Sequence, residues 1–536
     1  MKTNSFKVTS QTPGPTRASF NLIRPLMASA AVALLAALMA SAGDWPNYRG
    51  PNHDGISSEL IRTNWPADPP KEIWKVPLGP ALCSLTVSGG RVFTQARRRV
   101  AGKDREFCLA LDAGTGKELW ATDVGGANYG GGYDGHLNPI EDGPRSTPTV
   151  SGERVFVLTS FLRLVCLNAG TGLEVWRKDL VAEYDGSVIG YESSASPLVE
   201  GDLVLVNCNA LHKTLSAFRT QDGTLAWQVQ NTVSANRLST THATPIAATL
   251  VGVRQAIFYT QQGLVSVRPE SGEILWNYRV PFNGFTAAAS PVVGEDIVYC
   301  SAAYGTGAGA VRIQTSDAGL TTNQVWRTRG ANGTEYATPV YHEGYLYGPY
   351  GQYEANLKCL DLATGRVKWT VSKTLYDAHG AVLLVAGHLL QLTDKGELVL
   401  IKPDPSAYQE ITRFQAVKGR CWNAPAISDG RLYVRSAHEA ACFDVALKGS
   451  PPLRLRPEFT RANGRFRLSI AKGDGSPLDA DAQARVQVFA TTNLPAGPGG
   501  WLKLTQPTTL NNGELQLEDP DSSSLPRRFY RTEEQP

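Results

Sequence analysis

Arg145, His242, Tyr336, His379 and Trp422 each stand three positions ahead of a proline, or its equivalent, in a short β-prone run that recurs along the chain. The runs are "STPTV" (146–150), "ASPLV" (195–199), "ATPIA" (243–247), "ASPVV" (289–293), "ATPVY" (337–341) and "APAIS" (424–428). The full column reads Cys83, Arg145, Ser194, His242, Ala288, Tyr336, His379 and Trp422. Thr241 and Glu335 lie one step back, with Glu192, Asp377 and Asn423 close by. Brought together, a guanidinium would pair with carboxylates and an indole or phenol would stack on a ring. Such a set grips a planar anionic ligand, and Asp377 is the candidate base if that ligand takes part in an oxidation. The same set also suits a wet, polar channel mouth that holds no ligand.

The column matters only if the runs converge, and the rest of the repeat says how. A Gly-x-x-x-Trp spacing recurs strictly at Gly116/Trp120, Gly172/Trp176, Gly223/Trp227, Gly272/Trp276 and Gly365/Trp369. Trp74 and Trp326 extend the series with degraded turns, and Phe414 fills the next slot. Each unit reads as an inner strand ("STPTV"), a second strand ("RVFVLTS"), a third ("RLVCLNA"), a Gly-containing turn and a fourth strand bearing the aromatic. In that turn Asp and Thr side chains cap backbone amides and Gly accepts a positive φ. Four short strands per roughly 40–50 residues is the pattern of propeller blades.

Eight aromatic anchors run from Trp74 to Phe414, and eight inner strands run from "CSLTV" (83–87) to "NAPAI" (423–427). The two series are offset. Trp74 has no inner strand before it, and the last unit has no aromatic strand after it. Pairing them predicts that "KEIWKVPL" (71–78) becomes the outer strand of the last blade, closing the ring and removing exposed sheet edges. The expected fold is therefore all-β: an eight-bladed propeller whose Trp74, Trp120, Trp176, Trp227, Trp276, Trp326, Trp369 and Phe414 wedge between blades. Inner strands converge on the axis, which brings the column around one mouth of the channel.

The inner "SP-V" strand and the "LDAGTGKELW" turn (111–120) resemble the pyrroloquinoline-quinone-type (PQQ-like) propeller repeat family, over roughly residues 71–450. "WPNYRGPNHDG" (45–55) and "YESSASPLVEGDLVLVN" (191–207) are similar to a secreted bacterial subgroup of it. The resemblance implies two kinds of activity. One is a non-catalytic binding scaffold. The other is a quinoprotein dehydrogenase oxidising alcohols or sugars, which would use PQQ with Ca²⁺, a catalytic Asp and, in the alcohol-oxidising branch, a vicinal disulfide. Arg145, His242, Glu335, Tyr336, His379, Trp422 and Asn423 are the cofactor-binding candidates, with Asp377 as base. Calcium takes about six to eight oxygen ligands, whereas Glu192, Glu335 and Asp377 are spread over three repeats. No adjacent cysteine pair occurs either. The scaffold reading is the expectation, and no metal site or cofactor is assigned.

The chain has 536 residues and a formal charge of +3. Four basic residues, Lys2, Lys7, Arg17 and Arg24, lie in the acid-free first 42 residues, so the remainder carries −1. That balance recommends neither nucleic acid nor an anionic membrane as partner. A basic stretch, the apolar run Leu26–Ala40 and the Ala40-Ser41-Ala42 step form a secretory signal with cleavage before Gly43. The apolar run is shorter than the ~20 residues of a spanning helix. The expected mature protein is thus exported, periplasmic or secreted, monomeric and without a membrane span, and it would bind a protein or glycan on a propeller face. The expected parts are 1–42 signal, 43–70 a segment packing on the propeller, 71–450 the propeller and 451–536 a small β-sandwich module. Strand-like runs at 465–470, 484–490, 501–505 and 513–519 carry that last expectation.

Eight cysteines in an exported chain raise the question of disulfides. Cys166, Cys359 and Cys442 share one repeat slot in non-adjacent blades, and Cys208 and Cys300 share another, so these read as small buried side chains. Only Cys83 and Cys421 fall near the start of inner strands in touching blades, and whether they pair is open at this point. The Gly-rich stretch 125–143 lacks the lysine of a phosphate loop and reads as a surface loop.

Overall fold

The computed structural model describes residues 43–127, 129, 142–211, 214–229, 240–282, 287–317, 319–351, 355–371, 380–447, 453–460, 465–473, 477–478, 485–492, 501–520 and 528–534. The signal region, Asp377, His379 and most of the Gly-rich stretch lie outside these residues. Among the described residues strands dominate, with one short helix, Leu180–Tyr184. Among the described residues, no helix is long and apolar enough to cross a membrane.

Seven successive antiparallel sheets are built from strands within 86–126, 149–179, 198–229, 246–278, 292–328, 340–370 and 382–415. Each takes its four strands in chain order. The eighth combines three strands of 426–444 with Lys71–Pro77, which pairs antiparallel with Glu439–Asp444. This is the pairing the offset between anchors and inner strands calls for. The seventh sheet carries a fifth strand that the repeat does not announce: Ile56–Ser57 joins it in parallel beside Leu384 and Val385.

The strands read as near-continuous apolar runs because both faces of each sheet are buried, and side chains alternate between them. Val204 and Val206 face the second sheet, while Leu203 and Leu205 face the fourth. The apolar clusters accordingly lie between consecutive sheets. One of them unites the seventh, eighth and first sheets with Trp45, Ile61 and Trp65 of the N-terminal segment.

The repeated tryptophan has a definite mechanical role. Gly172 has φ +72°, and a Cβ there would lie 2.6 Å from Cδ2 of Trp120 in the preceding sheet. The glycine is thus required twice, by the left-handed backbone and by the indole lying over it. The side chain of Asn168 caps this turn by accepting from the amides of Gly170 and Thr171 at 3.0 and 2.9 Å. The indole then donates into the same turn: Trp120 Nε1 reaches the Ala169 carbonyl at 3.1 Å. Trp74, Trp176, Trp227, Trp326 and Trp369 do likewise to Ala113, Thr220, Pro269, Leu362 and Asp404. Each of these six tryptophans is therefore a wedge and a hydrogen-bonded tie between neighbouring sheets. Trp276 departs, donating to Gln255 in its own sheet at 2.7 Å. The next unit there has the long hairpin Gly307–Ser316 and Gly319–Thr328 in place of the Gly turn.

All eight cysteines are buried free thiols. The guanidinium of the buried Arg435 stands against both Cys83 and Cys421. Its Nη1 donates to Thr94 Oγ1 at 2.6 Å, to the Gln95 carbonyl at 2.9 Å and to Cys83 Sγ at 3.4 Å. A hydrogen-bonded cation, and not a disulfide, thus joins the eighth sheet to the first at this point.

Beyond residue 452 two smaller sheets form. One holds Leu453–Thr460, Arg465–Lys472, Glu514–Asp519 and Thr509–Asn511; the other holds Leu502–Lys503, Val486–Thr491 and Phe529–Glu534. They share a core of Leu468, Ile470, Leu515 and Leu517 against Val486, Val488, Ala490 and Leu504.

Candidate functional site

A Ser or Thr stands ahead of five inner-strand prolines (Thr147, Ser196, Thr244, Ser290 and Thr338), and Ser84 fills the matching slot of the first unit. The hydroxyls of Ser84, Thr147, Ser196, Thr244 and Thr338 tie one inner strand to the next. The amide of Ser84 donates to Thr147 Oγ1, that of Thr147 to Ser196 Oγ and that of Ser196 to Thr244 Oγ1, at 2.9, 3.0 and 2.9 Å. Ser290 donates in the same way to Thr338 Oγ1, and Ala424 of the eighth sheet donates to Ser84 Oγ, each at 2.9 Å. These bonds run from sheet to sheet, and the column residues stand one or two positions before them. Sequence reasoning used the prolines to align the repeat but missed this role of the hydroxyls.

Two groupings result. In the first, Arg145 donates to Asp142 Oδ1 at 2.8 Å and to Glu192 Oε2 at 3.1 Å. Tyr191 and Glu192 both adopt positive φ, at 66° and 55°. Left-handed backbone is uncommon for such residues, and here it delivers the Glu192 carboxylate to the guanidinium. Burial raises the Glu192 pKa, Arg145 opposes that and Asp142 adds to it. His242 is buried nearby and its pKa is pushed down to about 4, by burial first and by Arg145 second. It is therefore a neutral imidazole at pH 7. The Ser194 hydroxyl donates to the His242 carbonyl at 3.1 Å, and the Thr241 amide donates to Asn209 Oδ1 at 3.0 Å.

In the second grouping, Tyr336 and Trp422 stack with centroids 4.6 Å apart and planes 21° from parallel. The Arg420 guanidinium lies over the same indole, 4.6 Å from its centroid. Both the phenol and the guanidinium therefore pack on the Trp422 ring. Glu335 Oε1 accepts from the hydroxyls of Tyr336 and Tyr304 at 3.1 and 2.8 Å. Burial, then Glu335, raises the Tyr336 pKa, so its hydroxyl stays protonated. The sequence reading had these rings stacking on a ligand; in the structure they stack on each other. Asp142, Arg420 and Tyr304 were missed, although Asp142 and Arg420 stand three and two residues before column positions. Asn423 is 2% exposed, and neither end of its amide has a partner among the described residues. The same holds for His242 Nε2 and Trp422 Nε1.

The turns at the far ends of the inner strands are crossed by the N-terminal segment. Trp45 bridges to Val87 of the first sheet, and the Pro46 carbonyl accepts from Val150 of the second. Arg49, 1% exposed, donates to the carbonyls of Thr338 and Pro339 in the sixth sheet, both at 2.9 Å, and to that of Asp54 at 2.7 Å. Gly55 accepts from Leu384 of the seventh, and Glu59 accepts from the amides of Asp429 and Gly430 of the eighth at 3.2 and 2.8 Å. Burial pushes the His53 pKa down to about 4, with Arg254 contributing. A single strap thus ties sheets from both halves of the repeat series.

Residues 104–371, half of the chain, match the family described as "outer membrane protein assembly factor BamB", a PQQ-type repeat family. The chain belongs to this PQQ-like propeller family. Two relatives named outer membrane protein assembly factor BamB align with it. The one from Moranella endobia is 26% identical over 344 residues, covering 62% of this chain and 69% of its own. The one from Yersinia pestis is 24% identical over 379 residues, covering 69% and 76%. Among solved structures, the quinohemoprotein alcohol dehydrogenase of Comamonas testosteroni superposes with a TM-score of 0.54 at 13% identity, over 80% of this chain and 84% of that one. The alcohol dehydrogenase ADHIIG of Pseudomonas putida HK5 gives 0.53 at 12% identity, over 80% and 85%. These likenesses identify the fold as a β-propeller.

Whether this PQQ-like propeller suits the cofactor in the family's name can be asked of its own side chains. PQQ presents carboxylates and a flat ring, and in dehydrogenases it is bound with a calcium ion. Arg145, the column's one arginine, already holds two carboxylates. The Trp422 ring is already stacked with Tyr336 and overlain by Arg420. No three His, Cys, Asp or Glu side chains among the described residues are grouped to hold a metal ion. The described residues do not fit the pair, and no chemical step is derived through it.

Proposed function

We propose that this protein is an exported, non-catalytic propeller scaffold that binds a protein partner on a propeller face. The eight sheets make eight blades closed through Lys71–Pro77. Residues 1–42 are a removed signal, 43–70 the strap, 71–450 the propeller and 451–536 a β-sandwich module. The observation that carries the reading is the self-sufficiency of the mouth. Arg145 is engaged by Asp142 and Glu192, and Trp422 is packed against Tyr336 and Arg420. A site built for a charged planar ligand keeps such groups available. The relatives' printed name, outer membrane protein assembly factor, supports a protein partner and an exported location.

Aliphatic side chains beside the anchors supply candidate contact surface. Leu119, Leu173, Val175 and Leu225, on the outer edges of the first three sheets, are all exposed, Leu173 at 69%. Photo-crosslinking from position 173 in cells is expected to trap a discrete protein, whereas adducts to glycan alone would redirect the reading to a sugar ligand.

The second reading, a quinone-dependent oxidoreductase, draws on the unpartnered Asn423 amide and His242 Nε2. It would use Arg145, His242, Glu335, Tyr336, His379, Trp422 and Asn423, with Asp377 as base. Titrating the mature protein with PQQ, with and without Ca²⁺, and following tryptophan fluorescence separates the two. The scaffold predicts no saturable quenching. Saturable, calcium-dependent binding that Arg145→Ala abolishes would overturn it.

A further inference from the structure

The strap begins at the seam where the first sheet meets the last. The Asp44 carboxylate accepts from Ser88 Oγ at 2.7 Å and from the Gly89 amide at 3.3 Å, in the first turn of the first sheet. Trp45 bridges to Val87 beside it. These contacts hold Gly43, the residue before Asp44, at the seam. Across the seam stands the corresponding turn of the eighth sheet. A Cβ on Gly43 would fall 2.1 Å from Asp429 Oδ1. Because a Cβ and a nitrogen on one Cα are about 2.5 Å apart, the Gly43 nitrogen lies within about 4.6 Å of that carboxylate oxygen.

The surroundings are short of positive charge. Asp429 and Glu59 meet at this turn, where Glu59 holds the amides of Asp429 and Gly430. Neither carboxylate pairs with a basic side chain among the described residues. Asp44 lies on the strap next to Gly43, and Arg91 of the first sheet turns its Nη1 to the Gly89 carbonyl at 3.3 Å. Burial pushes the Glu59 pKa up to about 7, with Asp429 adding to the shift. In the unprocessed chain the nitrogen at position 43 is a neutral amide.

We infer that hydrolysis of the Ala42–Gly43 bond makes the missing cation: the new Gly43 α-ammonium pairs with Asp429 and latches the first sheet to the last. Water adds across the amide, its hydroxyl completing the Ala42 carboxyl group and its hydrogen going to the Gly43 nitrogen. The carboxyl then loses a proton and the amine gains one, leaving a carboxylate and an ammonium. Export processing thereby contributes an ion pair to ring closure. This inference rests on the signal reading of residues 1–42 and is independent of the partner or ligand at the propeller.

The test compares protein beginning at Gly43 with protein that keeps Ala40-Ser41-Ala42, each with Asp429 and with Asp429→Asn. Asn tolerates the φ of +52° at this exposed position, so the variant is expected to fold. The N-terminal amine is ¹³C-methylated and titrated by NMR. The Gly43 amine should titrate at least about half a unit above the ordinary α-amino range of ~7.7–8.0 and return to it in Asp429→Asn. The extended protein's amine should titrate in the ordinary range with either residue. An ordinary Gly43 amine, or a raised one indifferent to position 429, overturns the inference, as would an exported protein whose mass places its start elsewhere than Gly43.

Discussion

Replacing Arg49 with methionine keeps most of the side chain's volume but deletes its donors. Three carbonyls, those of Thr338, Pro339 and Asp54, lose partners at 2.9, 2.9 and 2.7 Å. A buried acceptor left unsatisfied costs about 1–3 kcal/mol, giving a gross loss of about 3–9 kcal/mol. Against this, a cation whose pKa is lowered by burial is no longer desolvated, a relief of several kcal/mol. The net expectation is about 3 kcal/mol, at the upper end for single substitutions. The strap offers a local readout. The amides of Val87, Val150 and Leu384 donate to Trp45, Pro46 and Gly55 from three different sheets. Hydrogen exchange at these amides requires the strap to lift. A loss of about 3 kcal/mol should therefore speed their exchange roughly 100-fold, at 1.4 kcal/mol per decade. Amides between the second and third strands of the third sheet, such as Ala217, should change far less. If Arg49→Met alters the three strap amides by less than about twofold, or about 0.4 kcal/mol, the strap is held by its apolar contacts and the reasoning about Arg49 fails.

Further expectations concern the repeat, the mouth and the thiols. Gly172→Ala combines a left-handed backbone with a collision against Trp120 and should cost about 2–4 kcal/mol in urea unfolding. Gly201→Ala, at φ +58° with no atom within 4 Å of the new Cβ, should cost only about 1 kcal/mol; equal costs would remove the wedge from the explanation. His53 and His242 are each depressed to about 4 from an ordinary 6.5. Their contribution is present above pH 6.5 and is lost as pH falls toward 4, by up to about 3 kcal/mol each. His242→Gln should flatten that slope in acid titrations of stability, and an unchanged slope would mean the imidazole is not protected as described. Because all eight thiols are free and buried, a thiol reagent should label almost none in native protein and all eight after denaturation without reductant.

The Gly-x-x-x-Trp spacing carried the fold because its physics is local to one hairpin and repeated. Gly116, Gly172, Gly223, Gly272 and Gly365 all have φ between 70° and 74°, and each meets a tryptophan of the preceding sheet. The closing strand Lys71–Pro77 was legible from counting alone. What escaped was whatever depends on a partner far away in the chain and on irregular backbone. Nothing in "WPNYRGPNHDG" says that Arg49 seeks carbonyls at 338 and 339 or that Ile56 and Ser57 join another sheet. Arg145 meets Glu192 and Tyr336 meets Trp422 in the structure. Nothing in the column reveals that Arg420 also lies over the Trp422 ring, because that depends on how two side chains on one loop divide the space. Arg435 was missed for the opposite reason: an arginine at the end of a strand reads as solvent-facing, and only the meeting of the first and last sheets buries it.

The closing strand also sets a schedule. Lys71–Pro77 precedes all the inner strands in the chain but finds its partner, Glu439–Asp444, only near the end of the repeat series. A chain delivered N-terminus first therefore presents an edge bearing Ile73, Trp74 and Val76 long before anything can cover it. Each intermediate sheet can dock on the one before it, yet none can finish the circle. The molecule is consequently exposed to unwanted strand pairing for most of its delivery, and it becomes cooperative only at the last step. Truncation anywhere before residue 439 should leave an aggregation-prone arc and not a smaller stable domain.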